Sequence, residues 1–123
     1  VVLERTFSLE EVIAYAKITG DANPLHVDEE YAKSSRFGGN IVHGMFVMGV
    51  VSKILGTILP GNGTIYLGQD VRFKRPVHVD KKVFIEDEFV EIENDRYIYL
   101  NTKVLDEEKN CLVEGSAKVL YEG

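Results

Sequence analysis

The chain carries a single cysteine, Cys111, so it can form no internal disulfide and offers no zinc-type cysteine spacing. That favours a reducing, intracellular setting, and cytoplasmic residence is the expectation. A long uninterrupted apolar run is also missing. The longest apolar stretch, Gly44 to Leu59, contains Ser52, Lys53 and Thr57 and falls short of the roughly 18–20 residues a membrane span needs. No basic-then-apolar segment opens the chain. Basic residues are the minority, 14 Lys and Arg against 20 Asp and Glu, giving a formal charge of −6. Such a balance argues against nucleic acid as a partner, because a protein that binds the phosphate backbone carries a basic face. The densest basic cluster, Arg72, Lys74 and Arg75 followed by Lys81 and Lys82, fits either a solvated strand face or a local phosphate contact. Repeats and low-complexity tracts are absent. At 123 residues, 45% hydrophobic and 28% charged, the chain suits one globular domain over 1–123 with a core that needs no staples.

What is present divides into a helical first half and a strand-rich second half. Ser8 and Glu11 form a capping-box pattern ahead of a helix from Leu9 to about Ile18, with Leu9, Val12, Ile13 and Ala16 on its inner face. Gly20 and then Pro24 end it. Asp28 caps a short second helix, Glu29 to about Ser34, before the Gly38-Gly39-Asn40 loop. Residues 44–59 are apolar on nearly every side and predict a helix wrapped by protein. Gly44, Gly49 and Gly56 within it imply close approach by other backbone, since each costs about 0.5–1 kcal/mol relative to Ala. Pro60-Gly61-Asn62-Gly63 stops this helix.

From Thr64 the hydrophobic period changes to two. Val71 and Phe73, then Val83, Ile85 and Phe89, then Ile98, Leu100 and Val104, then Cys111, Val113, Ala117 and Val119 define inward faces. Four strands follow, near 64–75, 82–93, 96–106 and 111–121, with Val2–Phe7 as a fifth in a mostly antiparallel sheet. Asn94-Asp95 and Glu107 to Asn110 supply the hairpin turns. Tyr97 and Tyr99 fall on the outer face, as surface aromatics or as a subunit contact.

Candidate chemistry concentrates in Asp21-Ala-Asn-Pro-Leu-His26. A carboxylate and an imidazole sharing one water molecule can remove and deliver a proton. On one continuous helix residues five apart diverge by about 140°, but Pro24 breaks the helix and lets a turn bring both side chains to one side. The same spacing equally suits a structural turn shaped by Asp21 and Asn23 beside a packed His26. His43-Gly44 precedes the apolar helix, whose starting N–H groups suit an oxyanion. Tight helix packing around His43 accounts for that pair as well. His26-Val-Asp28 with His78 imitates an iron-binding His-x-Asp…His set, but Pro24 and the helix after Asp28 are the wrong setting for it. His78, between Pro76 and Asp80, reads as a solvated turn residue. Cys111 reads as a core residue.

Gly20-Asp21-Ala-Asn-Pro-Leu-His26-Val-Asp28, Ile41-Val-His-Gly-Met45, Ile65-Tyr-Leu-Gly-Gln69 and Phe73-Lys-Arg-Pro-Val77, taken together, resemble the MaoC-like family of (R)-specific enoyl-CoA hydratases, and the short bacterial polyester-linked form in particular. The resemblance runs over nearly the whole chain. It implies a single hot-dog fold of the α+β class, an antiparallel sheet wrapped around a long central helix at about 44–59, working as a homodimer or higher homo-oligomer. It implies that Asp21 and His26 are the catalytic pair for reversible hydration of a trans-2-enoyl-CoA to the (R)-3-hydroxyacyl-CoA. Gly44 is then the donor to the thioester carbonyl by position, with Gly68 a second candidate, and Asn23 and His43 belong to the substrate site. Neither a metal nor an organic cofactor is called for. Some relatives place a serine about one turn after the His-Gly-Met block, supporting the carboxylate; here Gly49 stands there, leaving that hydrogen bond to Asn23 or water. The rivals on the same fold are dehydration of 3-hydroxyacyl groups on acyl carrier protein, thioester hydrolysis, and a non-catalytic acyl-binding or assembly subunit.

Overall fold

The computed structural model describes residues 1–122. A five-residue strand, β1 (Val2–Thr6), leads into helix α1 (Leu9–Thr19). The capping box forms: Ser8 Oγ accepts from the Glu11 N–H at 3.1 Å, and Glu11 accepts from the Ser8 N–H at 3.0 Å. Val12 and Ala16 are the buried residues of this helix. Gly20 ends it at φ 83°, a left-handed conformation that favours glycine. Pro24 does not merely follow. It opens a further helical turn, α2 (Pro24–Val27), with Asn23 as its N-cap through Leu25 N–H to Asn23 Oδ1 at 3.1 Å. Asp28 then caps α3 (Glu29–Ser34) by accepting from Tyr31 N–H at 3.1 Å.

Helix α4 (Gly44–Thr57) buries Val47, Met48, Val50, Val51, Ile54 and Leu55. It is not wrapped all round within one chain, since Met45, Gly49, Ser52 and Lys53 are exposed. The expected reason for its glycines is corrected too. A Cβ added at Gly49 or Gly56 meets nothing within 4 Å, and at Gly44 it meets the ring of Phe73, a side chain rather than backbone, at 2.6 Å.

The remaining strands are β2 (Ile65–Phe73), β3 (Lys82–Glu93), β4 (Tyr97–Asp106) and β5 (Cys111–Leu120). With β1 they make one antiparallel sheet in the order β1-β3-β4-β5-β2, so β2 is an outer strand although it precedes three of the others in sequence. Asn94, Asp95 and Lys109 take positive φ in the hairpin turns. Val83, Ile85, Leu100, Val104, Val113, Ala117 and Val119 pack from the sheet with the buried residues of α4 into one core. This is the helix-in-sheet arrangement that the resemblance implies.

Three strand positions depart from the expected alternation. Phe89 is exposed, because β3 runs beyond the core and its ladder shifts register between Phe89 and Glu91. The inward face of β3 is Val83, Ile85 and the fully buried Asp87. Phe73 is half exposed, lying over Gly44. Cys111 is only partly buried, since the ladder between β4 and β5 shifts beside it and turns Leu112 inward instead. Tyr97 and Tyr99 sit on the outer face, with the Lys118 ammonium 5.0 and 5.7 Å from their ring centres. Among the described residues no helix is long and apolar enough to cross a membrane.

Candidate active site

Asp21 lies in the link after the Gly20 cap, and His26 on the single turn of α2 that Pro24 starts. The break at Gly20 to Pro24 is what lets them face the same way. One side-chain donor atom each from Asp21, His26 and His43 lies within 4.8 Å of the others. That spacing is short enough for one water to join carboxylate and imidazole. His26 Nδ1 is 2.7 Å from the Ile41 carbonyl oxygen. A carbonyl only accepts, so Nδ1 carries the hydrogen and Nε2 is left to receive a proton. Asp21 is exposed; its backbone N–H donates to Thr19 Oγ1 at 3.2 Å and its Oδ1 receives the Asn23 N–H at 3.5 Å.

A hollow of about 440 Å³ opens at this pair, lined by Asp21, His26, His43 and Gly44, with the apolar Phe37 and Val47 and the basic Arg36, Lys74 and Arg75 among its other residues. Gly44 is the first residue of α4, and His43 gives that helix no side-chain cap. The Phe46 and Val47 N–H groups bond to the His43 carbonyl at 3.0 and 3.2 Å, which leaves those of Gly44 and Met45 without a helical acceptor where the helix meets the hollow, at the positive end of a 14-residue helix. The Phe73 ring occupies the space a Gly44 side chain would need.

Other candidates fall elsewhere. Gly68 lines a second hollow, also about 440 Å³, with Met45, Met48, Gly49, Ser52 and Tyr66. Within one chain it does not join Asp21 and His26. Gly49 lines that second hollow too. Asn23 is a cap that shapes the turn. His43 is 3% exposed, and its Nε2 is already 2.8 Å from the Asp21 carbonyl oxygen, which leaves it no free edge for a substrate. The mimic of an iron triad dissolves: Asp28 is spent on capping α3, and His78 bridges Ile41 in a one-residue ladder. Asp21, His26 and His43 are close enough together for a metal, but the two imidazoles are stacked at 3.8 Å and 24°. Stacked rings aim their lone pairs alongside one another, which does not fit convergent ligation.

Sequence reasoning passed over Asp87, although the alternation Val83, Ile85, Phe89 places it inward. Its Oδ1 accepts from Thr102 Oγ1 at 3.0 Å, while Oδ2 is buried without a partner. Burial raises its pKa to about 6, against the smaller opposing pulls of the Thr102 hydroxyl and the Val1 ammonium. Its charge and, above all, burial push the neighbouring Tyr66 phenol up to about 12.

Residues 2–110 match the family model of the MaoC like domain. The chain is 40% identical over 118 residues to the (R)-specific enoyl-CoA hydratase of Aeromonas caviae, covering 95% of this chain and 88% of that protein. It is 38% identical over 91 residues to the 3-hydroxybutyryl-CoA dehydratase of Methylorubrum extorquens, covering 74% of this chain and 58% of that longer protein. The solved structure of the A. caviae (R)-hydratase involved in PHA biosynthesis superposes with a TM-score of 0.94 at 38% identity over 98% of this chain and 92% of that one. The antiparallel sheet around α4 is thus the hot-dog fold of that hydratase, and the chain belongs to the MaoC-like family.

Proposed function

We propose that the protein is a hydro-lyase that reversibly adds water to a trans-2-enoyl-CoA, giving the (R)-3-hydroxyacyl-CoA. The observation that carries this reading is the approach of the Asp21 and His26 side chains to within 4.8 Å, with His26 Nδ1 engaged on the Ile41 carbonyl, beside an uncapped helix start. Both groups accept hydrogen bonds, so together they take the two hydrogens of one water and turn an oxygen lone pair toward C3 of the substrate. As the C3–O bond forms, Asp21 takes a proton from that water, and the electrons of the C2–C3 double bond move toward the thioester carbonyl. The N–H groups at Gly44 stabilise the resulting enolate oxygen; such a donor is worth about 3–4 kcal/mol in a developing oxyanion. Delivery of the same proton to C2 from the same face completes a syn addition and restores the carboxylate. The test is loss of the conjugated enoyl-thioester absorbance on short and medium enoyl-CoAs, with product chirality determined. Release of free thiol instead would identify a thioesterase.

The charge at the hollow supports CoA as the carrier. In a chain of net charge −6, exposed Arg36, Lys74 and Arg75 gather at this one opening, with Lys74 shared with Glu114 at 3.6 Å. Three local cations suit the phosphates of CoA, whereas the overall negative field repels an acidic carrier protein. Replacing Arg36 and Arg75 together by Ala is expected to raise KM for enoyl-CoA about fivefold to tenfold at unchanged kcat. A thioester of N-acetylcysteamine, which has no phosphate, should show no change. An equal rise for both substrates would contradict the role of these charges.

The outer strand β2 supports a homodimer. Its free edge carries Ile65, Leu67 and Phe73, each about half exposed, next to exposed Met45 on α4. An unprotected apolar edge of this kind invites pairing with another strand. Sedimentation should give a dimer for the native chain, and Leu67→Lys should shift it toward monomer.

A further inference from the structure

His43 precedes α4 and is 3% exposed, yet it bonds to no substrate-facing group. Its ring lies in a column of aromatic side chains. It stacks on His26 at 3.8 Å and meets Tyr15 at 4.6 Å, tilted by 55°. Tyr15 stacks on Phe46 at 5.0 Å with an angle of 2°, and Phe46 meets the fully buried Phe7 edge-on at 5.0 Å. The column therefore runs from the core to the face of His26. The edge of the same imidazole reaches the other member of the pair: Nε2–H donates to the Asp21 carbonyl oxygen at 2.8 Å, across 22 residues of sequence. Its Nδ1 is buried and has no partner.

One side chain thus touches both halves of the catalytic pair, one through a ring face and the other through backbone. This matters because Asp21 has little else to hold it. It is exposed, in a link between helix ends, and its remaining bonds reach only to Thr19 and Asn23 nearby in sequence. His26 has the Ile41 carbonyl to fix its tautomer but needs a flat neighbour to fix its plane. A buried, unpaired Nδ1 is a cost that a phenylalanine would avoid. Imidazole combines a stacking face with an edge N–H donor, and this position uses both.

Resting on the hydratase reading, we infer that His43 is a positioning residue that sets the distance between the Asp21 carboxylate and His26 Nε2. Misplacement of reacting groups by about 1 Å costs roughly a hundredfold in rate. His43→Phe keeps a stacking ring and removes the donor. His43→Gln keeps a donor near Nε2 and removes the ring. Each is expected to lower kcat roughly tenfold to a hundredfold with KM within about threefold, because the groups that hold the substrate are untouched. Each should also move the His26 titration midpoint, followed by NMR of its ring protons, in protein whose melting curve shows it folded at the assay temperature. Wild-type kcat and an unmoved His26 titration in both variants would overturn the inference. So would a loss of activity that merely tracks the fraction unfolded. The NMR measurement needs no turnover, so a chain inactive on every enoyl thioester would sink the hydratase reading while leaving this contact tested on its own terms.

Discussion

Asp21→Asn is expected to reduce kcat for hydration by about 10²–10⁴-fold, the range that positioned acid–base groups contribute, with KM nearly unchanged. The amide occupies the same space and still accepts a hydrogen bond, but it cannot take the proton that C2 must receive. Because the side chain is exposed and its one bond is to the adjacent Asn23 N–H, the fold should survive and the melting temperature should stay close to wild type. His26→Ala should cause a loss of similar order and also free the Ile41 carbonyl and one face of His43. The two losses should not add, since both groups hold the same water. Near-normal turnover in both variants would remove the assignment.

Asp87→Asn should change stability more than activity. The carboxyl is fully buried in β3, with one oxygen on Thr102 and the other unpartnered. Burial raises its folded pKa from 3.8 to about 6. The folded state therefore binds this proton more tightly than the unfolded state. Its favourable contribution is complete below about pH 4, falls as pH rises through about 6, and is gone above that. A shift from 3.8 to about 6 corresponds to about 3 kcal/mol across that window. The asparagine variant should be more stable than wild type at pH 8, by an amount approaching that figure, and the difference should shrink toward zero at pH 4. Denaturant midpoints at the two pH values measure this. A wild-type stability that rises between pH 4 and 7, with no gain in the variant, would show that the Thr102 hydroxyl and the nearby Val1 ammonium outweigh the burial of Asp87.

The fold was legible because its signals are local and agree with one another. Ser8 and Glu11 start α1, the change of period at Thr64 opens the sheet, and the turn residues Asn94-Asp95 place the β3–β4 hairpin within a residue or two. The strand order was not legible, since period-two patterning says which face is buried and nothing about which strand is the neighbour. Nor were the register shifts beside Phe89 and Cys111, which move single residues off their expected faces. In the site, Pro24 gave the break that allows Asp21 and His26 to converge, but its second role, opening α2 under an Asn23 cap, needed the helix-start pattern rather than the helix-stop one. His43 was named beside the substrate site, with packing at the helix entry as the other reading, and the structure buries it against His26 and the Asp21 carbonyl. Whether a histidine points its edge at substrate or at a carbonyl 22 residues away depends on tertiary packing that no spacing encodes.

The two hollows have one lining residue in common, Met45. The first draws mainly on links and segment ends, the link before α2, the start of α4 and the residues after β2, with Val47 and Val113 added from within α4 and β5. The second draws on the body of α4 and on β2 itself. Helix α4 and strand β2 thus each serve both hollows through different residues, Val47 and Phe73 for the first and Met48, Gly49 and Val71 for the second, and the two meet at an unbranched, adaptable thioether. Selection can remodel the second compartment through Met48, Gly49 or Ser52 without disturbing a single bond to Asp21 or His26, which gives a small domain room to change its preferences while keeping its reaction.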